Sequence, residues 1–411
     1  MCAEKIYVPR KGRPPAKNRR VLFLLSAVFL MFLCILCIMP AAAAASWTGS
    51  GDSGDPYEIA TAADLAQLAT EVIYNGNNYS GMYFRVTGDI DLAGSGNWEP
   101  IGNGSTPFAG HFDGGGKAIA NLFIDRSEDD LGLFGRTDPG SSVESVALIN
   151  ASVRGGDYTG SLVGFAEGSV ANCYAVSDVS GGHTVGGLIG ATQGSSVSSC
   201  YAAGNVSGTE GRVGGLIGLV TSSSVENCVA LNSNLTSGGL DFGRVIGNAS
   251  WDNSHTPNNH AWDNMIVPIP LGFGEHGTDV SSAEIWADVA FYRDTLGWDI
   301  DDEASLWQII RFDDGAAYPL PYFRTQTVLP DRTAVAGLMP EAVRSDVTLE
   351  ASDGEPADQT VTIWTGDTAF SGTVIVPLRD MFLFTGWYND SGVRVADNTR
   401  TLVTRVHGYK S

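Results

Sequence analysis

Basic residues are scarce and badly distributed in this 411-residue chain, with 24 Lys and Arg against 46 Asp and Glu, a net charge of −22. Seven of the basic residues but only Glu4 among the acids lie in the first 45 positions, so the remainder carries 17 basic against 45 acidic residues, a net of −28. After the leader the only lysines are Lys117 and Lys410. Such a surface repels phosphate backbones, which excludes nucleic acid as a partner class. Cysteine is equally sparse. Three of the six (Cys2, Cys34, Cys37) fall in the leader, and the remaining Cys173, Cys200 and Cys228 are an odd set with no disulfide framework and no metal-site spacing. Only 17% of residues are charged and 43% are hydrophobic, too apolar for disorder throughout. The 51 glycines do not recur every third residue, so a collagen helix is out.

Long apolar runs are absent except one. Val21 to Met39 is a stretch of 19 residues, preceded by the basic segment and followed by Pro40 and Ala41 to Ala45. That order describes an export signal with cleavage near Ala43 to Ala45, and the run is also long enough to serve as an uncleaved N-terminal anchor. Either way the rest of the chain is expected outside the cytoplasm, secreted or at the cell surface, with membrane contact only through residues 1–45.

What the chain has in abundance is self-similarity. Leu131 to Gly135, Gly160 to Gly164, Gly186 to Gly190, Gly214 to Gly218 and Gly243 to Gly247 recur at intervals of 29, 26, 28 and 29 residues. The first four are each followed by a second block: ESVALINASV (144–153), ANCYAVSDV (171–179), SSCYAAGNV (198–206) and ENCVALNSNL (226–235). Within these blocks apolar and polar positions alternate, the period of a strand with one buried face. A unit this short cannot bury its apolar face alone, but coils stacked about 4.8 Å apart build a continuous core. The fold class expected is therefore all-β, a right-handed parallel β-helix with short capping helices. Cys173, Cys200 and Cys228 are expected to stack inward with Val146, beside a polar row of Asn172, Ser199 and Asn227. Gly160, Gly164, Gly186, Gly190, Gly214 and Gly218 read as corners needing unusual backbone angles, not as a phosphate cradle.

The ends need cover. Thr61 to Asp64 is a capping box opening an amphipathic helix over 62–74. Ser281 to Glu284 opens a second, with Ile285, Val289, Tyr292 and Leu296 on one face. Trp298, Trp307, Tyr318 and Tyr322 are expected to complete the distal cover. The domain organisation is then 1–45 leader, 46–275 β-helix with its N-terminal cap, 276–327 distal cap and 328–411 a small β-module. Strands are expected in that module at 346–351, 360–366 and 372–378.

The repeats resemble the GLUG motif, named for the G-x-[LV]-[IV]-G unit at 160–164, 186–190 and 214–218. The flanking blocks Asp55 to Ile59, 84–94, 98–102, 107–124 and 307–321 fit the same pattern, giving coverage of about 47–323. The resemblance implies a right-handed β-helix of prokaryotic surface or secreted proteins, often adhesin-like. The motif also occurs beside IgA-specific metallopeptidase domains, whose H-E-x-x-H is missing here. Phe384 to Tyr388 with Gly392 to Val395 resembles the Listeria–Bacteroides repeat, a β-grasp-like surface module, without its closing aromatic strand after 402.

The function expected is adhesion to an extracellular glycan, matrix or surface protein, with no catalytic residue and no cofactor. Tyr174 and Tyr201, in register and expected to be exposed with Tyr158, are the candidate ligand contacts. Calcium remains open, with Asp52, Asp55, Asp89 and Asp91 as oxygen donors, though no EF-hand loop exists. His255 and His260 read as surface-loop residues. The alternatives are a structural spacer of the envelope and a β-helix polysaccharide lyase or hydrolase. For an enzyme the acid pairs are Asp89/Asp91, Asp129/Asp130 and Asp301/Asp302, with Arg154, Arg212 and Arg244 as the basic residues within the repeats.

Overall fold

The computed structural model describes residues 47–250, 254–268, 272–285, 289–300, 303–309 and 320–330, together with the backbone of four strands between 344 and 410. The leader, Tyr318 and the pair Asp301/Asp302 lie outside the described residues. Parallel strands stack into a β-solenoid of about seven turns, nearly all β with very few helices.

The broad side runs in spatial order from Tyr57–Ile59 through Tyr83–Val86, His111–Ala120, Ser142–Arg154, Tyr174–Gly181, Tyr201–Gly208 and Val229–Ser237 to His260–Trp262 and Thr278–Val280. Phe134–Thr137, Val163–Ala166, Ile189–Gln193, Ile217–Thr221 and Ile246–Ala249 form a second sheet, and the dipeptide strands at 185–186, 213–214 and 242–243 a third. Equivalent residues of successive repeats pair in register: Tyr174 with Tyr201, Ala175 with Ala202, Ile189 with Ile217. The parallel sheet continues through Thr278–Val280, past the boundary expected at 275.

The interior is a set of columns. Cys173, Cys200 and Cys228 are fully buried, as are Leu162, Leu188, Leu216 and Val245. Each fully buried aliphatic side chain is worth roughly 1.5–3 kcal/mol, so the periodic columns supply most of the driving force. The corner just before Val146, Cys173, Cys200 and Cys228 is made by Ser145, Asn172, Ser199 and Asn227, all left-handed at φ of 55°, 51°, 54° and 57°. Asn and Ser tolerate that conformation with local hydrogen bonding, which is why the polar row sits there.

The repeat glycines require a correction. None of Gly160, Gly164, Gly186, Gly190, Gly214 and Gly218 has a left-handed φ. A Cβ at Gly186 would collide with the carbonyl oxygen of Ile189, and one at Gly214 with that of Ile217. They are glycine because backbones approach too closely for any side chain, not because the turn needs special angles.

The helix Ala62–Ile73, which follows the first strand of the stack in the chain, forms with the expected capping box between Thr61 and Asp64 and buries Leu65, Leu68 and Val72. Ser281 and Glu284 exchange hydrogen bonds at the start of Ser282–Ile285, and a π-helical turn follows at Phe291–Thr295. In the C-terminal segment Arg344–Ala351 lies between Gln359–Trp364, antiparallel, and Arg405–Lys410, parallel, and the last pairs antiparallel with Phe384–Asn389. A strand, Arg405–Lys410, therefore follows position 402, after which the closing aromatic strand of the resembled repeat was expected to be missing.

Candidate functional site

Tyr174 and Tyr201 stack at 4.7 Å with 7° between their planes, but both are fully buried. The expectation of exposed ligand contacts is thereby corrected. Residues of 298–300, 303–309 and 320–328 pack on the flank of the stack and cover them. The Trp307 ring lies 5.9 Å from Tyr174 and 6.2 Å from Tyr201, and Phe323 sits 5.5 Å from Tyr174. The Tyr174 hydroxyl donates to Gln326 Oε1 and the Tyr201 hydroxyl to the Pro321 carbonyl, both at 2.8 Å. Trp298 Nε1 donates to the Asn227 carbonyl, and Lys117 Nζ to that of Thr325. Trp298 and Trp307 thus do not cover the distal end. They belong to a strap over the tyrosine row. Tyr158, the third tyrosine, is half-buried.

The strap is pinned by Asp89. Its Oδ2 accepts from the backbone N–H of Thr327 and Val328 and the Thr327 hydroxyl, and its Oδ1 from Ala118 N. Burial would raise this carboxyl, but the hydrogen bonds outweigh it and hold the pKa below the usual range. The other candidate calcium donors are likewise engaged one by one. Asp52 accepts from Gly54 N and Asp55 N, Asp55 from Ser50 N, and Asp91 from Ala93 N and Asn121 Nδ2. Among the described residues no group of three or more His, Cys, Asp and Glu converges on a metal position. Burial pushes the Cys200 and Cys228 thiols well above their usual pKa, which keeps them protonated and unreactive. His260 is not in a surface loop. It starts a strand, is buried against the Phe291 ring, and burial lowers its pKa.

The acid pair Asp129/Asp130 divides. Asp129 Oδ1 accepts from Asp157 N in the next coil, whereas Asp130 pairs with Arg136 at 3.7 Å. Arg136 also bonds Glu167 at 3.1 Å and lies 4.0 Å over the Phe165 ring, which meets Tyr158 edge-on. Burial raises the Asp130 pKa against the opposing pull of Arg136. Arg136 escaped the sequence reading. Its register partner is Phe165, one coil on, and alignment of the repeats would have placed them together.

A polar concavity lies elsewhere, on the broad sheet. It holds about 430 Å³ and spans four coils, lined by Asn150 and Ser152, by Ser177 and Asp178, by Gly204 and Asn205, and by Ser233. Two β-bulges make it. Ile149 pairs with Val176 but Ala151 with Ser177, leaving Asn150 as an extra residue at φ 53°. Gly204 pairs with Asn232 but Asn205 with Asn234, leaving Ser233 extra. Bulges bend a sheet and re-aim side chains. Gly204, at φ 107°, has no room for a Cβ against Ser177. The signal was present in the blocks, ten residues long at 144–153 and 226–235 but nine at 171–179 and 198–206. A second hollow of about 480 Å³ lies at a coil corner between His183, Glu210 and Asp241.

Residues 181–207 match the GLUG motif family. Over 155 residues, 34% of this chain, the sequence is 41% identical to Halomucin of Haloquadratum walsbyi. It is 36% identical over 99 residues, 23% of the chain, to a protein of Evansella cellulosilytica named provisionally as a Gly-rich membrane protein. The matches span only 2% and 11% of those relatives. A solved structure from Bacteroides ovatus, named provisionally as an immunoglobulin A1 protease, is similar with a TM-score of 0.46 and 20% identity, covering 67% of this chain and 94% of that one. The Listeria–Bacteroides resemblance of 384–395 lies outside the family match.

Proposed function

We propose that this chain is an exported, surface-displayed repeat protein whose coil stack binds an extracellular glycan, matrix component or neighbouring surface without chemistry. The observation that carries the reading is the polar trough across four coils, in whose lining Asn150, Ser152, Asp178 and Asn205 are exposed. The export leader supports a location outside the cytoplasm, and the names of the two relatives, Halomucin and a membrane protein, are of the same kind. A long rigid stack that repeats one surface coil by coil suits multivalent contact, in which weak single contacts add through geometry.

A second reading rests on Asp130, Arg136 and Glu167. Two carboxyls beside an arginine and the Tyr158/Phe165 pair are components of a carbohydrate-cleaving site. The two readings separate on one experiment. The purified full-length chain is passed over immobilised polysaccharides and matrix proteins, with retention and new chain ends both scored. Retention without new ends supports binding. New ends that vanish in Glu167→Gln support the enzyme, and retention of nothing supports a spacer.

A further inference from the structure

The trough has a ligand chemistry of its own, and the inference about it rests on reading the stack as a binding module. We infer that it takes a neutral, linear, hydroxyl-rich polysaccharide lying along the stack axis, contacted by Asp178, Asn150 and Asn205. Shape comes first. Asn150, Asp178, Asn205 and Ser233 each step one coil along the stack, so at about 4.8 Å per coil the contacts repeat over about 14 Å, the length of a short oligosaccharide.

Chemistry narrows the class. The lining offers amides, hydroxyls and one carboxylate, and neither Lys nor Arg is among its residues. Sulfated or uronate polymers would meet no counter-charge there and a strongly negative chain around it. An apolar ligand finds only Ala151 and Val176. A peptide adding as an extra strand needs an unpaired edge, but the strands flooring the trough from Tyr174–Gly181 to Tyr201–Gly208 are paired on both sides. What remains is a partner recognised by hydroxyl hydrogen bonds.

Capacity for those bonds is present. Asp178 Oδ1 accepts from Asn205 N and Nδ2, at 3.0 and 2.8 Å, which fixes the carboxylate and leaves Oδ2 without a partner among the described residues. A hydrogen bond from a sugar hydroxyl to an ionised oxygen is stronger than one between neutral groups. The Asn150 amide likewise makes no hydrogen bond among the described residues, and its left-handed backbone holds it at the trough rim.

The test uses the full-length chain on arrays of yeast mannan, barley β-glucan and galactomannan against alginate and heparan sulfate, at low and high salt. Retention on one of the neutral polymers is expected, little changed by salt because no counterions are released. Asp178→Ala should weaken it about tenfold. Asn150→Gly, which keeps the backbone angle and breaks no internal bond, should weaken it a few-fold, and Asp241→Ala at the coil corner should leave it unchanged. Thermal midpoints within a degree or two of the parent separate lost contact from lost fold. Retention confined to the anionic polymers, or neutral retention indifferent to both trough variants, overturns the inference and leaves the binding reading standing. Retention of a matrix protein but of no glycan does the same. No retention on any surface removes both.

Discussion

Cys200 and Tyr201 are neighbours on one strand, equally buried, and buried by different parts of the chain. The cysteine faces inward and is covered by the coils before and after it, about 28 residues away. Its Sγ donates to the Ser198 carbonyl at 3.1 Å. The tyrosine faces outward and is covered by a strap whose contacting carbonyl belongs to Pro321, 120 positions on. Tyr174 reaches still further, 152 positions to Gln326. Inside the stack each side chain is held by copies of its own motif, and on the flank by a segment with no repeat at all. A periodic core tolerates the loss of one neighbour's contact because the next coil repeats it, whereas each strap contact is made once.

The comparison can be broken most severely from within. Gly214→Val places carbon against the Ile217 carbonyl where two coils meet, and a loss of about 4 kcal/mol or more is expected. Its measure is a lowered thermal midpoint and loss of protease resistance across the whole stack. On the flank, Tyr174→Ala removes a ring packed on Tyr201, Trp307 and Phe323 and should cost about 3 kcal/mol. The pattern should differ. Limited proteolysis is expected to cut first within the strap, at 303–309 or 320–328, while the coils persist, with a red shift in tryptophan emission. Simultaneous cleavage of coils and strap would show that the two regions are one cooperative unit.

Acid probes the strap's anchor. The Asp89 carboxyl is held below the usual carboxylate range in the folded state, so its contribution is fully present above the unfolded pKa of about 4 and is lost as pH falls through the lower folded value. Strap release, followed by tryptophan emission, should therefore begin only below about pH 4. Asp89→Ala should cost about 1 kcal/mol at neutral pH and remove that acid step. The smallest effect is expected at the centre. Cys200→Ala deletes one sulfur from a column and should cost no more than about 1 kcal/mol, and in the parent the thiols should label only on unfolding. Rapid labelling in the native state would contradict the packed column.

Much of the fold was legible because the repeat is its own partner. Once Cys173, Cys200 and Cys228 recur at one coil's spacing with alternating neighbours, parallel stacking is the only way each unit buries its apolar face, and the register follows from the repeat. The capping box at Thr61 and Asp64 was equally readable, since its hydrogen bonds join residues three apart. The glycines were identified correctly and explained wrongly, because a string of letters does not separate an unusual φ from a close backbone approach. The trough was half-legible. Blocks of ten residues among blocks of nine mark the bulges at Asn150 and Ser233, but whether an extra residue forms a dent or a ridge depends on how the sheet bends around it.

By itself the sequence determined the solenoid, its inward columns and its polar corners, because those arise from contacts between residues one repeat apart that share a motif. Tertiary structure alone decided the fate of the outward face. Alternation along a strand says that Tyr174 and Tyr201 point away from the core, not whether water or another segment meets them. The strap that covers them shares no pattern with the coils, and its partners lie more than a hundred residues away. Its burial follows from where the chain returns, a fact held in three dimensions and in no local spacing.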